Sequence, residues 1–243
     1  MTLETLDLLN GVLSLIFVSI STIVGLIIAS RYFEYKKPIF IYMGLTWILL
    51  VCPWWPSSIS VLVALITGNN EGLSLGLYLL IGNLMVPVFN ILLVASLTEL
   101  KFKSKQKIAI IISIILGIAV EIYLFYYFIV DPSQMGVKYG VVDVEFKGFL
   151  RTYLLLTIAF IVICGILIAH DSISSDNPEV KLKGKFLLAS ILVWAAGTIF
   201  DGFVELTVIT LTIIRIVLIS SSVLFYFAFL LPEWLKKRLN KSQ

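Results

Sequence analysis

Lys107-IAIIISIILGIAVEIYLFYYFIV-Asp131 is the stretch that decides the architecture. Between its flanking charges, residues 108–130 carry one charged residue, Glu121. Coiled as an α-helix, such a run is about 34 Å long, enough to cross the ~30 Å hydrocarbon core of a bilayer. It is apolar on every side, so its natural solvent is lipid.

Runs of the same kind recur on both sides of it. They predict helices at about 8–30, 38–67, 73–98, 108–130, 149–169, 186–205 and 206–231, followed by a short basic tail, 232–243. The expected fold is therefore all-α: a polytopic integral membrane protein built as one seven-helix transmembrane bundle. Composition agrees, since 60% of the residues are hydrophobic and only 14% charged, against roughly 25% charged in soluble domains. Within the second run, Cys52-Pro53-Trp54-Trp55-Pro56 predicts a kink, because each proline removes a backbone donor and crowds the preceding turn. Only a short apolar run separates Lys185 from Asp201, so the sixth helix is expected to continue to Glu205. The longest connection, 131–148, reads as a small hairpin or ordered cap.

Orientation follows from lysine and arginine. One side of the alternating topology receives Arg31, Lys36 and Lys37, then Lys101, Lys103, Lys105 and Lys107, then Lys181, Lys183 and Lys185, and finally Lys236, Lys237, Arg238 and Lys241. The other receives Lys138, Lys147 and Arg151. Basic loops stay cytoplasmic, which places the N-terminus outside and the C-terminus in the cytoplasm of a cell-membrane protein. Glu4 and Asp7, with no basic residue, precede the first apolar run, so it is expected to remain a helix and not to be a cleaved signal.

Several function classes lack their residues. The single histidine, His170, lies at a helix end beside Asp171, which supplies neither an intramembrane zinc site nor a protected Ser–His dyad. No phosphate-cradling glycine motif or nucleic-acid-binding basic stretch is present. No lysine falls within the expected spans, so a retinal Schiff base is excluded. Cys52 and Cys164 stand alone in apolar stretches and read as buried hydrophobes. The sequence thus suggests no enzyme, catalytic residue, metal or cofactor.

An ionisable group inside lipid costs about 2.5–3.5 kcal/mol on insertion scales and marks a candidate site. Counting inward from the outer helix ends places Glu121, Arg215 and Asn83 at similar depth, with Trp194, Trp54 and Trp55 near that level. These six are the candidate ligand-binding or pathway residues, with Glu121 expected to face Arg215. Asp201, Glu205 and Arg151 are candidates for a charged outer rim. The plainer readings are a self-neutralising pair, interhelical hydrogen bonding by Asn83, and solvated helix ends.

The element order, the outside N-terminus, the longer loop after helix 4 and the ending Leu231-Pro232-Glu233-Trp234-Leu235-Lys236-Lys237-Arg238 together resemble the seven-helix membrane sensor modules of some prokaryotic histidine kinases. In that family a signalling domain follows helix 7; this sequence runs to Gln243 without one. The leading reading is a sensor or receptor-like module that binds a small or lipidic ligand in the outer half of the bundle and passes a change to a cytoplasmic protein partner at the basic loops. A small-solute carrier or transporter subunit is the second reading, and a structural membrane subunit without ligand the third.

Overall fold

The computed structural model describes residues 3–68 and 71–235. The basic tail residues Lys236, Lys237, Arg238 and Lys241 lie outside them. Seven helical segments in this range are long and apolar enough to cross a membrane. Two of the seven are broken, giving α1 (Thr5–Tyr35), α2 (Ile39–Leu50), α3 (Trp55–Thr67), α4 (Leu75–Asn83), α5 (Val86–Lys101), α6 (Gln106–Val130), α7 (Gly148–Ile173), α8 (Pro178–Phe203) and α9 (Val208–Phe229).

Local chemistry sets the boundaries. Lys36 takes a left-handed conformation (φ 54°) and ends α1, its N–H closing on the Tyr32 carbonyl. Pro53 cannot continue the α2 ladder, so the chain passes through a 3-10 turn, Cys52–Trp54. Pro56 then falls in the first turn of α3, where a missing donor costs nothing. Pro87 occupies the same place in α5, and the third span, expected to be continuous over 73–98, is instead divided after Asn83. The sixth span begins at Pro178, not near 186, because Asn177 caps it by accepting the Glu179 and Val180 N–H groups. Lys181, Lys183 and Lys185 therefore ride on its first turns and not in a loop, and it ends at Phe203, short of Glu205.

Six spans form a ring. Around it, α1 packs on α2, α3 and α9, α2 on α5, α5 on α7, α7 on α8, and α8 on α9. The quoted stretch, α6, stays outside the ring against α4 and α5, and buries only Gly117, Val120 and Leu124. Small residues let backbones approach: a Cβ on Gly44 of α2 would lie 2.5 Å from the Gly25 carbonyl oxygen of α1. The Trp47 and Phe225 rings stack at 3.8 Å inside the ring. Ser21 and Ser222 join α1 to α9 at 2.8 Å, and Ser190 donates to the Ser221 carbonyl at 2.9 Å.

One end of the bundle is roofed by an antiparallel hairpin, β1 (Gly136–Tyr139) and β2 (Asp143–Phe146). Its turn is fastened from several helices. Tyr78 and Ser57 donate to the Val142 carbonyl (2.6 and 3.0 Å), and Ser60 donates to that of Val141 (2.6 Å). Asp7 accepts the Val141 N–H at 3.1 Å. Lys138 donates to the carbonyls of Glu71 and Leu73.

Candidate ligand cavity

Beneath the hairpin, the ring lines an open-mouthed cavity of about 860 Å³. Every span of the ring contributes to it. Asp7 and Asn10 come from α1, Trp54 from the break between α2 and α3, Tyr78 from α4 and Phe89 from α5. Thr157 and Ile158 come from α7, Trp194, Thr198 and Asp201 from α8, and Arg215 from α9. The helix breaks matter here, since Pro53 and Val86 line the wall where the second and third spans are interrupted.

The polar floor is one connected network. Arg215, only 2% exposed, donates from Nη1 to Asp201 Oδ1 at 2.7 Å and from Nη2 to Asn10 Oδ1 at 2.8 Å. Trp54 Nε1–H donates to the other Asp201 oxygen at 2.7 Å. The buried cation is thereby neutralised and Asp201 uses both oxygens, which offsets the desolvation such a pair incurs. Two buried donors on residues that line the cavity, Trp194 Nε1 and Arg215 Nε, have no partner among the described residues.

Carboxylates outnumber cations around the space. Arg151 pairs with Glu145 at 3.7 Å near the rim, and Arg215 with Asp201. Asp143 on β2 lines the cavity and forms no ion pair among the described residues. Burial pushes its carboxyl above the ordinary range, and the nearby carboxylates of Asp201 and Asp7 add to the effect against the pull of Arg215.

The opening is partly apolar. Residues deep in the cavity are shielded, whereas Leu155, Ile199, Phe203 and Val204 both line it and are exposed, so they form its rim. Arg151 stands over the Phe203 ring at 5.2 Å. Farther down, Gly165 of α7 packs tightly on Ile191 of α8, and a Cβ on Gly184 of α8 would lie 2.7 Å from Ser172 of α7. The two helices thus touch closely away from the hairpin and flank the cavity beside it.

Of the residues singled out in the sequence, Arg215, Trp194, Trp54, Asp201, Glu205 and Arg151 line this one space. Asp201 belongs to the floor and not merely to the rim. Three residues are elsewhere. Arg215 is bonded to Asp201 and Asn10 and does not meet Glu121, which sits on the peripheral α6 with Oε2 unpartnered. Helix order put different helices next to each other: α9 packs on α8 and α1, whereas α6 packs on α5 and α4. Asn83 bonds back to the Leu79 carbonyl at 2.7 Å, and Trp55 lies off the cavity wall. Asn10, Asp7, Tyr78 and Asp143 were not anticipated. The signal for Asn10 was present, as a lone amide in an apolar run; Asp143 lies in the hairpin, whose position no helical count supplies. No family model matches the chain, and no curated protein or solved structure matches it either.

Proposed function

We propose that this is a multi-pass membrane protein with its N-terminus and hairpin outside, and that it works as a receptor-like module for a small or lipidic ligand held beneath the hairpin. The observation that carries the reading is the cavity itself: about 860 Å³, walled by every span of the ring, with a polar floor of Arg215, Asp201, Asn10 and Trp54. Apolar walls with a few converging polar groups are the usual composition of a small-molecule site. The orientation is supported by the charge pattern, since Arg31 and the lysines at 101–107 and 181–185 collect at the end away from the hairpin. Occupancy would be passed to a cytoplasmic partner through that basic end.

The test is to extract the small molecules that co-purify with the protein and compare them with those of Thr198→Trp, a substitution that fills the cavity. A species present with the wild type and lost from a folded Thr198→Trp protein supports the reading. Identical extracts would sink it. One observation favours a carrier as the second reading: two broken spans meet at the cavity, with Cys52 Sγ–H donating to the Gly82 carbonyl at 3.2 Å, and interrupted helices are how many transporters build their sites. Flux of the identified species into proteoliposomes would select it.

A further inference from the structure

We propose that the ligand is a small amphipathic organic cation that also bears an oxygen acceptor. Its ammonium group is held by Asp143, and its apolar part extends toward Leu155, Ile199 and Phe203. The proposal rests on the cavity reading above and adds the chemical class.

Charge comes first. The cation inside the cavity, Arg215, is already matched by Asp201. An entering anion would meet the carboxylates of Asp143 and Asp7 on the lining, whereas Lys138, which interacts with Asp7, is not among the lining residues and donates to the Glu71 and Leu73 carbonyls. A cation meets the opposite situation, in a space where low-dielectric walls focus the field of the carboxylates. The aromatic lining adds to this. Trp54, Tyr78, Phe89 and Trp194 all face the cavity, and ring faces attract ammonium groups, most strongly when both are desolvated.

The two unpartnered donors are an independent observation. Trp194 is 3% exposed and Arg215 is 2% exposed, both residues line the cavity, and the Nε N–H of each is buried without a partner among the described residues. A buried donor left unmade costs about 1–3 kcal/mol, so a ligand that offers an ester, ether or hydroxyl oxygen recovers what a pure hydrocarbon would not. The apolar rim sets the remaining requirement. Leu155, Ile199, Phe203 and Val204 lead from the cavity toward the outer surface of α7 and α8, so a short chain can stay in lipid-like surroundings while the head reaches the floor.

The full chain in lipid nanodiscs would be titrated with three probes of similar chain: hexanoylcholine, hexyl acetate and hexanoate. Thermal shift and tryptophan quenching are the readouts. Saturable binding of hexanoylcholine at least tenfold tighter than of the other two is expected. Asp143→Asn should erase that advantage without lowering the melting temperature of the unliganded protein, and Trp194→Phe should weaken hexanoylcholine and hexyl acetate alike. Equal or tighter binding of hexyl acetate or hexanoate would overturn the cationic class, as would an advantage that survives Asp143→Asn. If no probe binds while Thr198→Trp still loses a co-purifying species, the class is wrong and the cavity reading stands. If both experiments are blank, both fall.

Discussion

Arg215 is the residue on which the floor of the cavity depends. Removing one member of a buried ion pair typically costs about 3–5 kcal/mol, because the survivor is left uncompensated, whereas removing both can be nearly neutral. Arg215→Met should therefore lower the thermal stability of the detergent-solubilised protein sharply, and adding Asp201→Asn should restore much of it. Combining Arg215→Met with Glu121→Gln should give simple additivity, since the two residues share no contact; strong coupling between them would contradict the helix arrangement. Asp143 gives a pH signature. Its folded-state carboxyl is raised above the ordinary 3.8, so the folded chain holds this proton more tightly than the unfolded one. The stability it contributes is present below that ordinary value and is lost as pH rises through the raised one. Asp143→Asn should raise the melting temperature at neutral pH, and the gain should vanish once pH falls below 3.8. A gain independent of pH would point to a cause other than this carboxyl. The sequence alone disclosed that Arg215 needed a partner, but depth along a helix names no neighbour. Asp201 and Asn10 were selected by the order of spans around the ring, which hydropathy does not contain.

At the scale of elements, the sequence was most legible where a single residue enforces a boundary. Pro53 and Pro56 announced the interruption of the second span, and the structure places a 3-10 turn there. Pro87 offers the same signal in the third span, which nonetheless reads as continuous over 73–98; the break falls just ahead of it. The sixth span starts earlier than its hydropathy suggests, because three lysines that read as a loop lie on the helix. Long lysine side chains carry their charge to the interface and leave the backbone free to be helical, and Asn177 with Pro178 was the truer start signal. Helix contacts yield a sharp comparison between two glycines. A Cβ on Gly44 would meet the Gly25 carbonyl at 2.5 Å, whereas one on Gly202 would meet nothing within 4 Å. Gly44→Ala should thus separate α1 from α2 and lower the melting temperature by several degrees. Gly202→Ala should leave it unchanged or slightly higher, as alanine favours helix by up to ~1 kcal/mol. Equal effects of the two substitutions would mean that the close approach of α1 and α2 does not matter for stability.

For the whole molecule, seven apolar segments and their basic loops were readable because they depend on composition, which a bilayer constrains strongly. That α6 stands apart was not readable, since an outer helix and a ring helix are equally apolar. The charge alternation makes the orientation testable. A membrane-impermeant thiol reagent should label a cysteine introduced at Ser133 in intact cells, and one at Ser104 only after permeabilisation; the reverse pattern would invert the protein in the bilayer. How the bundle would come apart at its roofed end follows from Asp201. The hairpin is stitched to α1, α3 and α4 by bonds spread along its turn and β1. At the same end, a single carboxylate ties α8 to Trp54 through one oxygen and to Arg215 through the other. In mechanical terms Asp201 is a rivet and the hairpin a seam. A group that competes for that carboxylate therefore acts on both links at once.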